Sequence, residues 1–258
     1  MLNWGQFETK YFQQLYTQTA FFNPNGNTVE AGNRTNYYSG IFNFMLGYNS
    51  RLNFGFDAWI QAVFIDGESG SPFRLFTFPG GAEGRTALTA IGPKLKWQPV
   101  EALNNFTIQS SFLLPVASDP QGSMNGRPFL ATENFLWWTQ IFYTWNFHAR
   151  WQLFAELDVY WNIDRKFDFE RSGSLAFPAS AFLSYFPTKK PTVYVMSQLW
   201  PTLGEDIVSS YWDQAAVGGK YQLSKSFDIE LMYGRFLGGR GAAGPATTFN
   251  FGLRYVHW

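Results

Sequence analysis

The sequence contains no cysteine. A disulfide-stapled secreted fold and a thiolate metal site are therefore both excluded. Charge is scarce, at 15 % of 258 residues, and Lys+Arg balances Asp+Glu at 19 each. With no basic excess to neutralise phosphates, no nucleic-acid partner is expected. Only two histidines are present, His148 and His257. No run of about 18 apolar residues occurs, so no helical membrane span is expected. The opening stretch MLNWGQFETKYF has no basic region followed by an apolar core. The expectation is either a mature chain whose export signal has been removed or a chain never exported.

What is plentiful is aromatic: 28 Phe, 13 Tyr and 11 Trp make up 20 % of the chain. Disorder is excluded, since it requires few aromatics and high charge. Yet mean hydropathy is only −0.19. Two classes combine these properties. One is a soluble all-β protein. The other is a transmembrane β-barrel, in which alternation dilutes the apolar residues.

The dominant period is two. In RLNFGFDAWIQAVF, Leu52, Phe54, Phe56, Ala58, Ile60, Ala62 and Phe64 share one face, and Asn53, Asp57, Trp59 and Gln61 the other. FTIQSSFLLPV and ARWQLFAELDVYW alternate in the same way. Such faces suit strands with one apolar side. Some twelve segments of this kind are expected, centred near Tyr16, Phe42, Ala58, Ile91, Phe112, Ile141, Leu157, Ala181, Val195, Ala215, Leu231 and Phe251. Gln13, Gln14, Pro178 and the Gly218–Gly219 pair interrupt the alternation.

The connections alternate between long and short. FFNPNGNTVEAGNR, IDGESGSPFRLFTFPGGAEG, SDPQGSMNGRPF, DRKFDFERSG, PTLGED and GGRGAAGPA are long; YNSR, QPVEALN, NFHAR, FPTKKP and LSKS are short. The expected fold is all-β: one domain over residues 1–258, a transmembrane antiparallel up-and-down β-barrel with short periplasmic turns and long extracellular loops. An even strand number puts both termini on the periplasmic side of a bacterial outer membrane. Aromatics near the strand ends, among them Tyr37, Tyr48, Trp97, Trp137, Trp151, Trp161 and Tyr221, read as interfacial girdles.

Residues of opposite parity to the apolar face point into the lumen. The lumen-lining candidates are Asp57, Lys94, Lys96, Arg150, Glu156, Asp158, Lys220, Asp228, Glu230 and Arg254. Their balanced signs point to ion pairing, and their position places any constriction in the periplasmic half. Trp59, Trp138, Phe154, Tyr160, Phe182 and Trp212 project inward too, which argues against a wide pore. The longest loop, with Phe73, Phe76 and Phe78, either folds inward or presents its rings to a partner. No catalytic residue is expected: His148 falls in a short turn, His257 is penultimate, and neither has a placed nucleophile or acid. No cofactor or metal site is expected either.

The last strand, TTFNFGLRYVHW, resembles the C-terminal strand by which the barrel assembly machinery recognises bacterial outer-membrane β-barrel proteins. Phe249, Phe251, Leu253, Tyr255 and the terminal Trp258 carry that resemblance, although Trp258 stands one residue out of phase with Tyr255. ALTAIGPKLKW, FTIQSSFLLPV and FLSYFPTKKPTVYVM resemble uncharacterised barrel proteins of Bacteroidota described loosely as transporters. The resemblance implies contact with outer-membrane lipid, lipopolysaccharide and the assembly machinery. A narrow channel for small solutes is the first functional expectation. A non-conducting accessory barrel of a larger envelope complex, in secretion, nutrient uptake or outer-membrane assembly, is the second. An enzyme and a soluble carbohydrate-binding protein are the remaining readings.

Overall fold

The computed structural model describes residues 1–77, 82–122, 126–164, 173–204 and 208–258. Among them twelve long strands form one antiparallel sheet: β1 (Phe7–Phe22), β2 (Thr28–Asn49), β3 (Leu52–Asp66), β4 (Gly84–Trp97), β5 (Phe106–Pro115), β6 (Phe135–His148), β7 (Trp151–Ile163), β8 (Ala179–Tyr185), β9 (Pro191–Leu203), β10 (Ser210–Gln222), β11 (Phe227–Arg240) and β12 (Thr247–His257). Each pairs with its neighbours in sequence, and β12 pairs with β1 from Phe7↔His257 to Thr17↔Thr247. The sheet therefore closes on itself, which leaves no unpaired edge. Every expected strand centre falls inside one of these strands.

Alternation orients each strand. Leu231, Val217, Val195 and Leu157 point outward and are about half-exposed or more, whereas Asp57, Asn43, Gln214 and Asn250 on the opposite parity are buried. An apolar exterior of this extent is far larger than water tolerates on a monomer. It is the lipid-facing band of a transmembrane barrel. Outward rings cluster at the strand ends: Trp97, Tyr143, Trp145, Trp151 and Tyr221 near the terminus-bearing end, and Trp137 stacked on Trp161 at 6.2 Å near the other. Tyr37 is a correction to the girdle. Its parity is that of Asn43, and its ring meets the inward Tyr16 at 6.0 Å.

The interruptions in the pattern have local causes. Leu175–Ala176 continues β8 in unchanged register with both neighbours. Pro178 has no N–H to give, but its carbonyl still accepts from Asp158 N at 2.8 Å, and Phe177 N donates to Pro201 O at 3.0 Å. At Gly218, a Cβ would sit 2.5 Å from the Tyr194 hydroxyl, so the missing side chain lets that ring lie across the strand.

Two long connections take courses that length alone does not give. Most of FFNPNGNTVEAGNR is strand, and only Asn23–Asn27 turns. Asn23 Oδ1 accepts from Asn25 N and Asn27 N at 2.9 Å each, a local turn that the Asn/Gly-rich sequence provides. The described part of the longest loop does not fold inward, and its Phe73 and Phe76 rings stay exposed. Its 3-10 turn, Pro72–Thr77, lies against the outer wall, where Leu75 is buried with Leu15, Tyr38, Ala62 and Phe64. Phe73 meets Phe249 at 5.2 Å and Phe76 meets Tyr38 at 5.9 Å. Phe78 lies outside the described residues.

Candidate functional site: the barrel lumen

Four strands build one buried ion pair. Lys94 Nζ lies 2.9 Å from Asp57 Oδ2 and 3.1 Å from Oδ1. Asn43 Nδ2 donates to Asp57 Oδ1 at 2.7 Å, and Ser111 Oγ donates to Oδ2 at 2.8 Å. Register explains the cluster. Asn43 stands opposite Asp57, and Ser111 opposite Lys94. The residue opposite Asp57 on β4 is Gly92, and the residue opposite Lys94 on β3 is Gly55. No side chain therefore stands directly opposite either partner on these two strands, the lysine reaches diagonally to the carboxylate, and both glycines let the adjacent strand's backbone come close. A Cβ on Gly92 would sit 1.8 Å from the Phe112 carbonyl oxygen. Gly92→Ala is accordingly expected to cost at least about 1–3 kcal/mol. A lowered folded yield and urea midpoint in micelles would report it.

A second network occupies the terminus-bearing end. Arg254 Nε donates to Glu8 Oε2, and its Nη1 donates to Asp228 Oδ2 at 3.0 Å. Lys10 pairs with Glu8 at 2.9 Å and Lys220 with Asp228 at 3.1 Å. The Tyr194 hydroxyl donates to Glu230 Oε1, beside the gap left by Gly218. Lys96 forms no ion pair among the described residues and lies over the Phe142 ring at 5.9 Å. Cavities of about 370 and 550 Å³ open here, both lined by Lys220, Asp228, Glu230 and Arg254. Glu8 and Lys10 were missed as candidates. Both precede the Gln13–Gln14 interruption, where the alternation of β1 is hard to phase, yet they share parity with each other.

Glu156 and Asp158 belong to a third cluster. Gln109 Nε2 donates to Gln140 Oε1 at 2.7 Å, and Gln140 Nε2 donates on to Glu156 Oε1. Trp138 Nε1 donates to Asp158 Oδ2 at 3.0 Å. Nine of the ten expected lumen residues thus lie on strands whose inward faces meet. Arg150 is the correction. It sits in the two-residue turn after His148, is exposed, and donates its backbone N–H to His148 Nδ1 at 3.2 Å. The parity of β7 was carried one residue too far, past the strand end at Trp151. His257, on β12, stacks on Phe7 at 4.9 Å.

A row of aromatic rings lies loopward of the charges. Tyr37, Tyr16, Phe236, Trp212, Trp200, Tyr160, Trp138 and Trp59 follow one another around the inner wall, with centroids 4.5–6.0 Å apart. Trp59 is two residues from Asp57, and Tyr160 two from Asp158, so this collar sits one inward row above the charged clusters. Sequence parity had marked Trp59, Trp138, Tyr160 and Trp212; their contact in one continuous arc is a product of register.

Chain segments also pack inward at both mouths. At the terminus-bearing end, Leu2 packs with the inward Met45 and Val256. Asn53 pins that segment, accepting from Leu2 N and donating to Leu2 O at 3.0 Å each. At the opposite end the connection between β5 and β6 folds inward, with Leu130 buried. Arg85 clamps it, donating to Pro128 O at 3.1 Å and to Asp119 O. Arg85→Ala is expected to free this connection. Proteinase K should then cut between residues 116 and 134 in the folded barrel, where the parent resists.

Phe249, Phe251, Leu253 and Tyr255 share the outward parity of β12, pairing with β1 and β11. Trp258 lies beyond the strand end and donates its indole N–H to Lys225 O at 3.2 Å.

No protein-family model matches the chain, and no curated protein matches it in sequence. Solved structures do share the fold. An outer-membrane channel from Pseudomonas putida F1 matches with a TM-score of 0.64 at 14 % identity, over 100 % of this chain and 96 % of that one. The NanC porin matches with a TM-score of 0.52 at 8 % identity, over 95 % and 98 %. The translocator domain of the autotransporter NalP from Neisseria meningitidis matches at 0.50 and 8 %, over 98 % and 89 %. At these identities the likeness speaks for the fold: the chain is a closed twelve-stranded barrel of the outer-membrane kind.

Proposed function

We propose that this protein is an outer-membrane channel that passes small solutes through a narrow, gated lumen. One observation carries the reading. The inward face holds polar clusters and cavities at both ends, separated by a single aromatic collar. A barrel serving only as a wall element has no use for that layering; an apolar packing would stabilise it as well. The likeness in fold to a channel and a porin supports the same reading.

In this reading both termini and the short turns face the periplasm. The collar and the inward connection face the outside, and the apolar band contacts lipid and lipopolysaccharide. The outward row of β12 with Trp258 serves the assembly machinery, and the source lies among Bacteroidota. The chain acts without a catalytic group. The test is conductance of the purified barrel in planar bilayers. Small, well-defined openings are expected. Silence at every voltage would sink the channel and leave a non-conducting accessory barrel, which gentle co-purification from native membranes would then have to reveal.

A further inference from the structure

The cavities at the two ends differ in chemistry. Those at the terminus-bearing end are lined by paired ions. The one on the loopward side of the collar, about 210 Å³, is lined by no charged residue at all. Its walls include the collar rings Trp59 and Tyr160, with Gln61, Thr89, Asn134 and Asn162 between them. Several polar groups there are unspent. Trp59 Nε1 is buried with no partner. Gln61 accepts from the Thr89 hydroxyl at 2.7 Å, and Asn162 donates to Ser174 Oγ at 2.9 Å. Among the described residues, the Gln61 amino group, the Asn162 carbonyl and the whole Asn134 amide have no side-chain partner. Trp59 Nε1 is the fully buried one of these, and such a group is rarely left unpaired in a pure packing core; the three amides are half-buried and line the cavity.

We infer that this cavity is a binding site for one neutral, polyhydroxylated ring, a solute of the monosaccharide class, taken up before it crosses the collar. The inference rests on the channel reading for its direction of travel. The cavity, about 210 Å³ and partly open, has room for one small ring. Aromatic faces fit the C–H side of such a ring, while amides of both polarities match hydroxyls, which donate and accept. A charged solute would enter a cavity with no counter-ion. A bare hydrocarbon ring would leave the amides unpaired.

Saturation-transfer NMR on the purified barrel in micelles tests this, with D-glucose as probe. D-glucuronate carries the same ring with a charge, and phenol a ring without the hydroxyl array. Glucose is expected to bind more tightly than either. Tyr160→Ala is expected to weaken glucose about tenfold, and Tyr160→Phe to retain it. Asn134→Ala, at a connection rather than in the wall, is expected to weaken it about fivefold. That variant decides the matter if Tyr160→Ala does not fold. No transfer to glucose, equal transfer in Asn134→Ala, or stronger binding of phenol would each overturn the site. A barrel that conducts salt but ignores glucose loses the site and keeps the channel. A barrel that binds glucose and never conducts keeps the site and loses the channel.

Discussion

Asp57→Ala is expected to destabilise the barrel by about 3–5 kcal/mol, the cost of leaving the partner of a buried ion pair uncompensated. The Lys94 side chain is only 7 % exposed, and among the described residues Asp57 is its one salt-bridge partner. Asn43 and Ser111 lose their acceptor in the same step. Neither glycine flanking the pair supplies a replacement, so the charge stays stranded among strand backbones. The urea midpoint of the folded barrel in micelles, followed by tryptophan fluorescence, reads the loss. Replacing both partners, with Asp57→Leu and Lys94→Met, is expected to recover most of it, because the cost is that of an unpaired charge rather than of a missing bond. An Asp57→Ala barrel as stable as the parent, within about 0.5 kcal/mol, would mean that the pair contributes nothing.

Trp212→Ala is expected to raise single-channel conductance several-fold. Trp212 stacks on Trp200 at 5.1 Å and meets Phe236 edge-on at 4.5 Å, so it joins two arcs of the collar. Removing the indole opens a gap that the wall does not close. Each strand is held at fixed spacing by hydrogen bonds to both neighbours, and a closed sheet cannot collapse inward as a helical core does. Trp137→Ala is the control. Its ring stacks on Trp161 on the outer wall, and its loss is expected to leave conductance unchanged. Equal conductance in both variants would place the limiting constriction elsewhere, at the Leu2 segment or the inward connection.

Much of this was legible before any coordinates. A period of two assigned twelve strands, and the parity of Asp57, Lys94, Glu156, Asp158, Lys220, Asp228, Glu230 and Arg254 pointed them inward. Parity is local to a strand, so it survives without knowledge of neighbours. It fails where a strand ends, as at Arg150, or where polar residues blur the alternation, as at Glu8 and Lys10. Loop length was a weaker guide. Asn23–Asn27 is a tight turn that its neighbours' strand content conceals. The Phe-rich connection went to the outer wall because Leu15, Tyr38, Ala62 and Phe64 offered an apolar surface there.

The sequence alone therefore carries the barrel, its apolar exterior and the sign of its inner wall, because each follows from side chains two residues apart. Pairing belongs to the folded sheet. Lys94 reaches Asp57 across glycines on two different strands, and eight rings from eight strands meet as a collar. Those contacts depend on how far each strand is staggered against the next, and that stagger is set only when the sheet closes on itself.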